Sequence, residues 1–367
     1  MIDKSIKFDF DDILIVPAVN SKISSRYKDI TLPDMLPLFT APMDTVVNLY
    51  NVDEFLLNRI KVTLPRTIKN NMYVSDFLPG VFISLGFEDI DKHLDDKLRE
   101  LGNYAHILID VADGHMLKIV DYCKRIKELR PDITIMVGNI ANPETYRWYA
   151  ENDCVDYIRV GIGNGGGCLT TKQSGVGYPM ASLIYETYLV KQELIKYNNP
   201  DLTKPWNFKR QREEVVPIKN FPAIVADGGM KDYSDIIKAL ALGADFVMVG
   251  SIFNKALESC ADNYFYGIKV NYDIANYLFD KGYPIKKHFR GMSTKQAQKA
   301  MGKTVFKTSE GVTRFRRVEY HLEGWVRNFE HYLRNAMSYS NAKTLEEFRG
   351  NTNICQITKS GYDRFNK

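Results

Sequence analysis

Cysteine is scarce in this chain. There are five in 367 residues (Cys123, Cys154, Cys168, Cys260 and Cys355), widely spaced and without a Cys-x-x-Cys pair. Neither a disulfide framework nor a structural zinc site follows, and a reducing compartment, the cytoplasm, is the expected setting. No run approaches the roughly 18 apolar residues of a membrane span, and Met1-Ile2-Asp3-Lys4 is too charged to open a signal peptide. Charge of neither sign dominates: 49 Lys+Arg against 45 Asp+Glu leave +4, interspersed, which favours neither a nucleic-acid groove nor a membrane surface. The densest charged run, Lys209 to Glu214, is mixed in sign and reads as a solvated face. The six histidines show no ligand spacing, so no side-chain metal centre is expected.

What the chain does have is a rhythm. Eight short apolar runs recur, at Leu38 to Ala41, Lys61 to Leu64, Val81 to Leu85, His106 to Val111, Ile133 to Val137, Tyr157 to Val160, Ala223 to Ala226 and Phe246 to Val249. Stretches of helical period, such as Met116 to Leu129 and Tyr233 to Leu242, lie between most of them. The runs are continuous rather than alternating, as parallel strands buried on both faces require. The expected fold is α/β, a (β/α)8 TIM barrel forming one domain over residues 1–367, with the barrel at about 38–300; a doubly wound open sheet is the alternative. About 60 residues separate the sixth run from the seventh and over 100 follow the eighth. These gaps suggest long insertions on the catalytic face, at about 190–220 and, as a flap, at about 294–318. A C-terminal helical extension is expected over about 318–367, with Val318 to Tyr339 an amphipathic helix covering the barrel.

In such a barrel the chemistry sits just beyond the C-terminal ends of the strands. After the seventh run comes Asp227-Gly228-Gly229, and after the eighth Gly250-Ser251. Glycines there either admit a phosphate to backbone N–H groups or are plain turn residues. After the sixth run, Gly161-Ile162-Gly163-Asn164-Gly165-Gly166-Gly167-Cys168 is too rich in glycine to pack as helix or strand. Cys168 at its end is either a reactive thiolate or an inert small side chain. Asp110 ends the fourth run, where a carboxylate can accept ribose hydroxyls, and Asp44 in Ala41-Pro42-Met43-Asp44-Thr45 reads as a capping carboxylate at a turn.

Together these segments resemble the IMP dehydrogenase and GMP reductase family, from about residue 8 to about residue 315. The resemblance rests on Phe10-Asp11-Asp12-Ile13-Leu14, Ala41-Pro42-Met43-Asp44-Thr45, the glycine loop ending in Cys168, Ala226-Asp227-Gly228-Gly229 and Phe289-Arg290-Gly291-Met292-Ser293. It implies a barrel that binds a purine nucleotide monophosphate, GMP or IMP, and a cysteine that attacks C2 of the purine, with a nicotinamide cofactor exchanging hydride at that carbon. Three features are similar to the reductases: Thr170 two residues after the cysteine with Gly175-Val176-Gly177-Tyr178-Pro179 beyond it, Glu310 in Thr308-Ser309-Glu310-Gly311 with no Arg-Tyr dyad before it, and no stretch of about 120 residues within the barrel for a paired regulatory (CBS) domain.

The resemblance then implies NADPH-dependent reductive deamination of GMP to IMP and ammonia, with Cys168, Thr170 and Glu310 catalytic. Asp227 would hold the ribose, Gly229, Gly250 and Ser251 the phosphate, and Arg290, Gly291, Met292, Ser293 and Lys307 would surround the base. Asp110, Ala112 and Gly311 would face the cofactor, and the carbonyls of Gly163, Gly165 and Cys168 resemble a K+ site. Relatives are tetramers, so a homo-oligomer is expected. IMP dehydrogenase activity, IMP to XMP with NAD, is the nearest alternative, followed by a reductase for another purine nucleotide, a nucleotide-binding protein without catalysis, and a flavin enzyme on the same barrel. Two residues depart from the family pattern: Gly166 stands where a phosphate-binding serine is usual, and Phe289 where a tyrosine hydroxyl often serves.

Overall fold

Eight short strands make one parallel sheet in the computed structural model: β1 (Leu38–Thr40), β2 (Val62–Leu64), β3 (Val81–Leu85), β4 (His106–Asp110), β5 (Thr134–Ile140), β6 (Tyr157–Val160), β7 (Ala223–Asp227) and β8 (Phe246–Val249). The structure describes residues 5–68, 80–95, 105–198, 221–302 and 311–365. The strands run in the order β1-β8-β7-β6-β5-β4-β3-β2. Phe39 bridges Lys61 in parallel, with the Thr40 N–H donating to Lys61 O at 2.9 Å and the Lys61 N–H to Leu38 O at 3.0 Å, which joins the two ends into a barrel. All eight apolar runs read from the sequence are strands, and the TIM barrel is the fold.

The continuity of those runs has its cause in two separate interiors. Outward-facing Ile107, Ile109, Ile158, Val160, Ile224, Val247 and Val249 pack against the helical layer. Inward-facing Phe39, Ala41, Phe82, Leu108, Met136, Val225 and Met248 fill the barrel. A strand with only one buried face would have alternated instead.

The surrounding helices are α1 (Val52–Leu57), α2 (Phe87–Asp95), α3 (Lys118–Leu129), α4 (Pro143–Asn152), α5 (Thr170–Ser174), α6 (Met180–Asn198) and α7 (Tyr233–Ala241), with α8 (Tyr272–Asp280), α9 (Lys295–Ala300) and α10 (Leu322–Tyr339) after the last barrel strand. Their starts follow local chemistry. Asn142 caps α4 by accepting the Glu144 N–H, with Pro143 at the first helical position, and the Asp232 carboxylate caps α7 through the Asp235 N–H.

The expected amphipathic helix begins at Leu322 and buries Leu322, Trp325, Val326, Phe329, Leu333 and Met337. Trp325 stacks on Tyr233 of α7 at 5.0 Å, and Glu330 pairs with Arg59, just beyond α1, at 2.7 Å. Helix α10 thus lies between α7 and α1, the place of the eighth barrel helix. Beyond it, Ile354–Gln356 pairs antiparallel with Ile13–Ile15, tying the two ends of the chain together.

Between β8 and α10 the chain builds an antiparallel sheet of β9 (Asn263–Phe265), β10 (Ile268–Val270), β11 (Lys286–Arg290) and β12 (Thr313–Arg317), ordered β10-β9-β11-β12. The segment expected as a flap contains α9 and β12, with residues 303–310 outside the described residues. Of the expected insertion at about 190–220, the first nine residues continue α6 and the remainder falls outside the described residues.

Candidate active site

On β6, residues two apart face the same way. Tyr157 and Arg159 both enter the barrel, Tyr157 at the strand's start and Arg159 near its end. The Arg159 side chain is only 6% exposed, and it donates from Nη1 to Asp110 Oδ1 at 2.7 Å and from Nη2 to Asp227 Oδ2 at 2.8 Å. Burial alone would lower its pKa, but the charges of Asp227 and Asp110 outweigh that and raise it. Asn139 adds a second donor to Asp227 Oδ2 at 2.7 Å. One oxygen of each carboxylate is therefore fixed by protein contacts, so each is oriented as an acceptor for a hydroxyl. Arg66 supports Asp110 from the other side, its Nη1 lying 3.4 Å from the Asp110 carbonyl.

The sequence reading missed Arg159 and Asn139. A signal was present for the arginine: a lone cation inside an otherwise apolar, doubly buried run needs a buried anion, and Asp227 ends the adjacent strand while Asp110 ends the one two strands away on the other side.

The glycine-rich loop after β6 spans the barrel mouth. Thr171 Oγ1 donates to the Val176 carbonyl at 2.8 Å, and a Cβ on Gly163, where φ is +81°, would lie 1.7 Å from Thr171 Oγ1. Only glycine fits there. The loop next passes the turn after β7, where a Cβ on Gly228 would lie 2.8 Å from the Gly165 nitrogen, and then Ser251 after β8. A Cβ on Gly291 would lie 2.5 Å from the Gly167 carbonyl, so Gly291 is equally constrained. The Val312 N–H donates to Gly167 O at 3.1 Å, the Gly291 N–H to Val312 O at 3.0 Å, and Cys168 forms an antiparallel bridge with Gly311.

Cys168 is half-buried, and its thiol donates to Thr170 Oγ1 at 3.3 Å. The other cysteines differ. Cys123 and Cys154 are buried and Cys355 is exposed, while Cys260, half-buried like Cys168, has its thiol pushed up to about 12 by desolvation. The structure thus brings Cys168, Thr170, Gly311 and the Gly291 segment together at the glycine-rich loop. Met292 and Ser293 are half-buried beside Gly291, and Ala112 is exposed in the loop after β4. Glu310 and Lys307 lie outside the described residues.

Asp44 needs correction. Instead of capping a turn, its carboxylate takes a two-pronged pair from Arg290, with Nε at 3.0 Å and Nη2 at 2.5 Å. Sequence alone could not find this pair, because the two residues are 246 apart and meet only when β11 folds over the turn after β1. Arg290 therefore locks β11 to the barrel, and this segment presents its backbone at Gly291, Met292 and Ser293 to the mouth. Among the described residues, no group of three His, Cys, Asp or Glu side chains could hold a metal ion, and no helix is long and apolar enough to cross a membrane.

A family profile described as "IMP dehydrogenase / GMP reductase domain" matches residues 87–199 and 211–365. The chain belongs to this family. A GMP reductase of Caenorhabditis elegans is 26% identical, covering 99% of this chain and 96% of the relative. GMP reductase 2 of Homo sapiens is also 26% identical, covering 98% and 96%. An inosine-5'-monophosphate dehydrogenase of Chlorobaculum parvum is 31% identical but covers 70% of this chain and 46% of that protein. The near-complete mutual coverage thus falls on relatives named as reductases.

Proposed function

We propose that this chain is a GMP reductase, converting GMP to IMP and ammonia with NADPH. The observation that carries the reading is the Cys168 thiol 3.3 Å from the Thr170 hydroxyl, at the end of a glycine loop that pairs with Gly311. A nucleotide-binding module needs no such pair, whereas deamination needs a nucleophile and a proton donor side by side.

In this reading the Cys168 thiolate adds to C2 of the purine, and the C2=N3 electron pair moves to N3. Thr170 relays a proton, with Glu310 assigned by sequence as its partner, so that the 2-amino group leaves as neutral ammonia while the N3 pair re-forms C2=N3. A nicotinamide, when bound, would supply hydride for C2, with the C2=N3 pair moving again to N3. Departure of the thiolate gives IMP and restores Cys168.

Asp227 binds the nucleotide ribose, and Gly229, Gly250 and Ser251 approach its phosphate. The backbone of Gly291 to Ser293 meets the base. Asp110, with one oxygen held by Arg159, offers the other to the cofactor ribose beside Ala112 and Gly311. The carbonyls of Gly163, Gly165 and Cys168 are neutral donors of the kind that suit a monovalent cation such as K+. A homotetramer completes the reading.

The test is absorbance at 340 nm with purified protein, GMP and NADPH, with ammonia and IMP measured in the same tube and NADH run in parallel. Loss of NADPH matched by both products is expected. Formation of XMP from IMP and NAD, with GMP untouched, would replace this reading by the dehydrogenase.

A further inference from the structure

The flap strand β12 carries two arginines that none of the chemistry above uses. Arg314 and Arg316 alternate with Phe315, so both side chains leave the same face of the strand. In the ladder with β11, Arg314 lies opposite Phe289 and Arg316 opposite Lys287. Both guanidinium groups stand over the Phe289 ring, at 5.4 Å for Arg314 and 4.3 Å for Arg316. From there they reach the barrel mouth, where Arg314 Nη2 donates to the Gly166 carbonyl at 3.0 Å and Arg316 Nη1 to the Ser251 carbonyl at 3.0 Å. A side-chain carbon placed on Gly166 would lie 3.5 Å from Arg316 Nη2, 3.6 Å from Arg314 Nη2 and 3.8 Å from the Ser251 Cβ. Two cations and a serine therefore converge on the same bare spot in the glycine loop.

Among the described residues the charge there is not matched by a paired carboxylate. Among the described residues neither arginine forms a salt bridge, and the nearby Glu319 is paired with Lys255 at 3.0 Å. Burial, and then the Arg314 charge, pull the Arg316 pKa down to about 10, the direction expected of adjacent cations that lack an anion. Each guanidinium has five N–H groups arranged as a planar fork, and one from each is committed to a carbonyl. A phosphoryl group, dianionic and with three terminal oxygens, matches what remains.

We propose that Arg314 and Arg316 clamp the phosphoryl group of the nucleotide against Ser251 and the Gly166 backbone. This rests on the reading of the mouth as a purine nucleotide site. It also gives both departures from the family pattern a common cause. The guanidinium groups stand within ordinary contact distance of the bare Gly166 position, where they supply the donors that the missing serine would have offered, and the Phe289 ring, having no hydroxyl to offer, is the platform that carries them.

The experiment is calorimetric titration of the full-length protein and of Arg314→Ala, Arg316→Ala and double variants with GMP, guanosine and inorganic phosphate, with KM and kcat measured alongside. Each single change should weaken GMP binding about tenfold or more. The double change should raise KM far more than it lowers kcat, while guanosine affinity stays within twofold. Gly166→Ser in the double variant should restore part of the GMP affinity. If the alanine variants melt early, Arg→Gln variants at the same positions replace them.

Equal losses for GMP and guanosine, or no loss for either, would overturn the clamp. So would phosphate binding that GMP does not displace, since the site would then hold free anions only. Because the titration needs no turnover, a protein that binds GMP through these arginines but reduces nothing would keep the clamp and remove the reductase reading. An active enzyme indifferent to their loss would do the reverse.

Discussion

Tyr157 and Arg159 sit two residues apart on β6 and face the same barrel interior, yet their surroundings have opposite chemistry. Tyr157 packs edge-on against Phe39 at 6.0 Å and Phe82 at 5.5 Å, with Phe246 at 5.7 Å, and Phe82 also stacks on His106 at 5.0 Å. Arg159 spans two carboxylates. The same contrast is visible along β4, which enters with His106, passes Leu108 and leaves with Asp110. One end of the barrel is an aromatic plug whose contribution is stability, bought with apolar burial. The other end gathers buried charge, which costs stability unless every partner is present and which fixes the orientation of two acceptors.

This contrast can be broken most forcefully at Cys168. Cys168→Ala should reduce turnover by at least about 10³-fold while leaving the melting temperature and GMP binding nearly unchanged. At the opposite end, Phe39→Ala should cost about 3–5 kcal/mol in denaturant unfolding, with the activity of the remaining folded protein intact. Activity lost in proportion to stability at both positions would erase the distinction between the two ends.

Arg159→Leu should show both effects at once. It leaves Asp110 and Asp227 uncompensated, so unfolding should be easier by about 3–5 kcal/mol and nucleotide binding should fall as well. Native alkylation followed by peptide mapping sharpens the comparison among the cysteines. Iodoacetamide should modify Cys168 well before Cys260, whose buried thiol is raised to about 12.

The smallest effect is at His106, whose pKa is lowered from 6.5 by burial and then by the Lys61 charge. Protonation there favours the unfolded chain, so stability should be held above about pH 6.5 and decline as pH falls toward the lowered folded value. His106→Phe should flatten that decline in melting temperature between pH 7 and pH 5, and an unchanged slope would assign it to other groups.

The sequence made the barrel legible because its strands are buried twice, and a continuous apolar run between turn residues has few other uses. It also exposed the glycine loop, since Gly161 and Gly163 admit no side chain and leave a compositional trace. The contacts that cross the chain were hidden. Asp44 and Arg290, or Arg159 with its two aspartates, are ordinary charged residues until the fold brings them within 3 Å. The arginines of β12 were hidden for another reason: an Arg-x-Arg alternation in an exposed strand reads as a solvated edge, and only the approach of Gly166 and Ser251 gives it a direction.

Cys168 is the proposed nucleophile of reductive deamination at the charged end of the barrel. The most direct test is the stoichiometry of NADPH oxidised, ammonia released and IMP formed, measured for the natural chain and for Cys168→Ala at saturating GMP. Equal amounts of all three are expected for the natural chain and none for the variant, although both bind GMP. NADPH consumption without matching ammonia, or substantial turnover by Cys168→Ala, would contradict it.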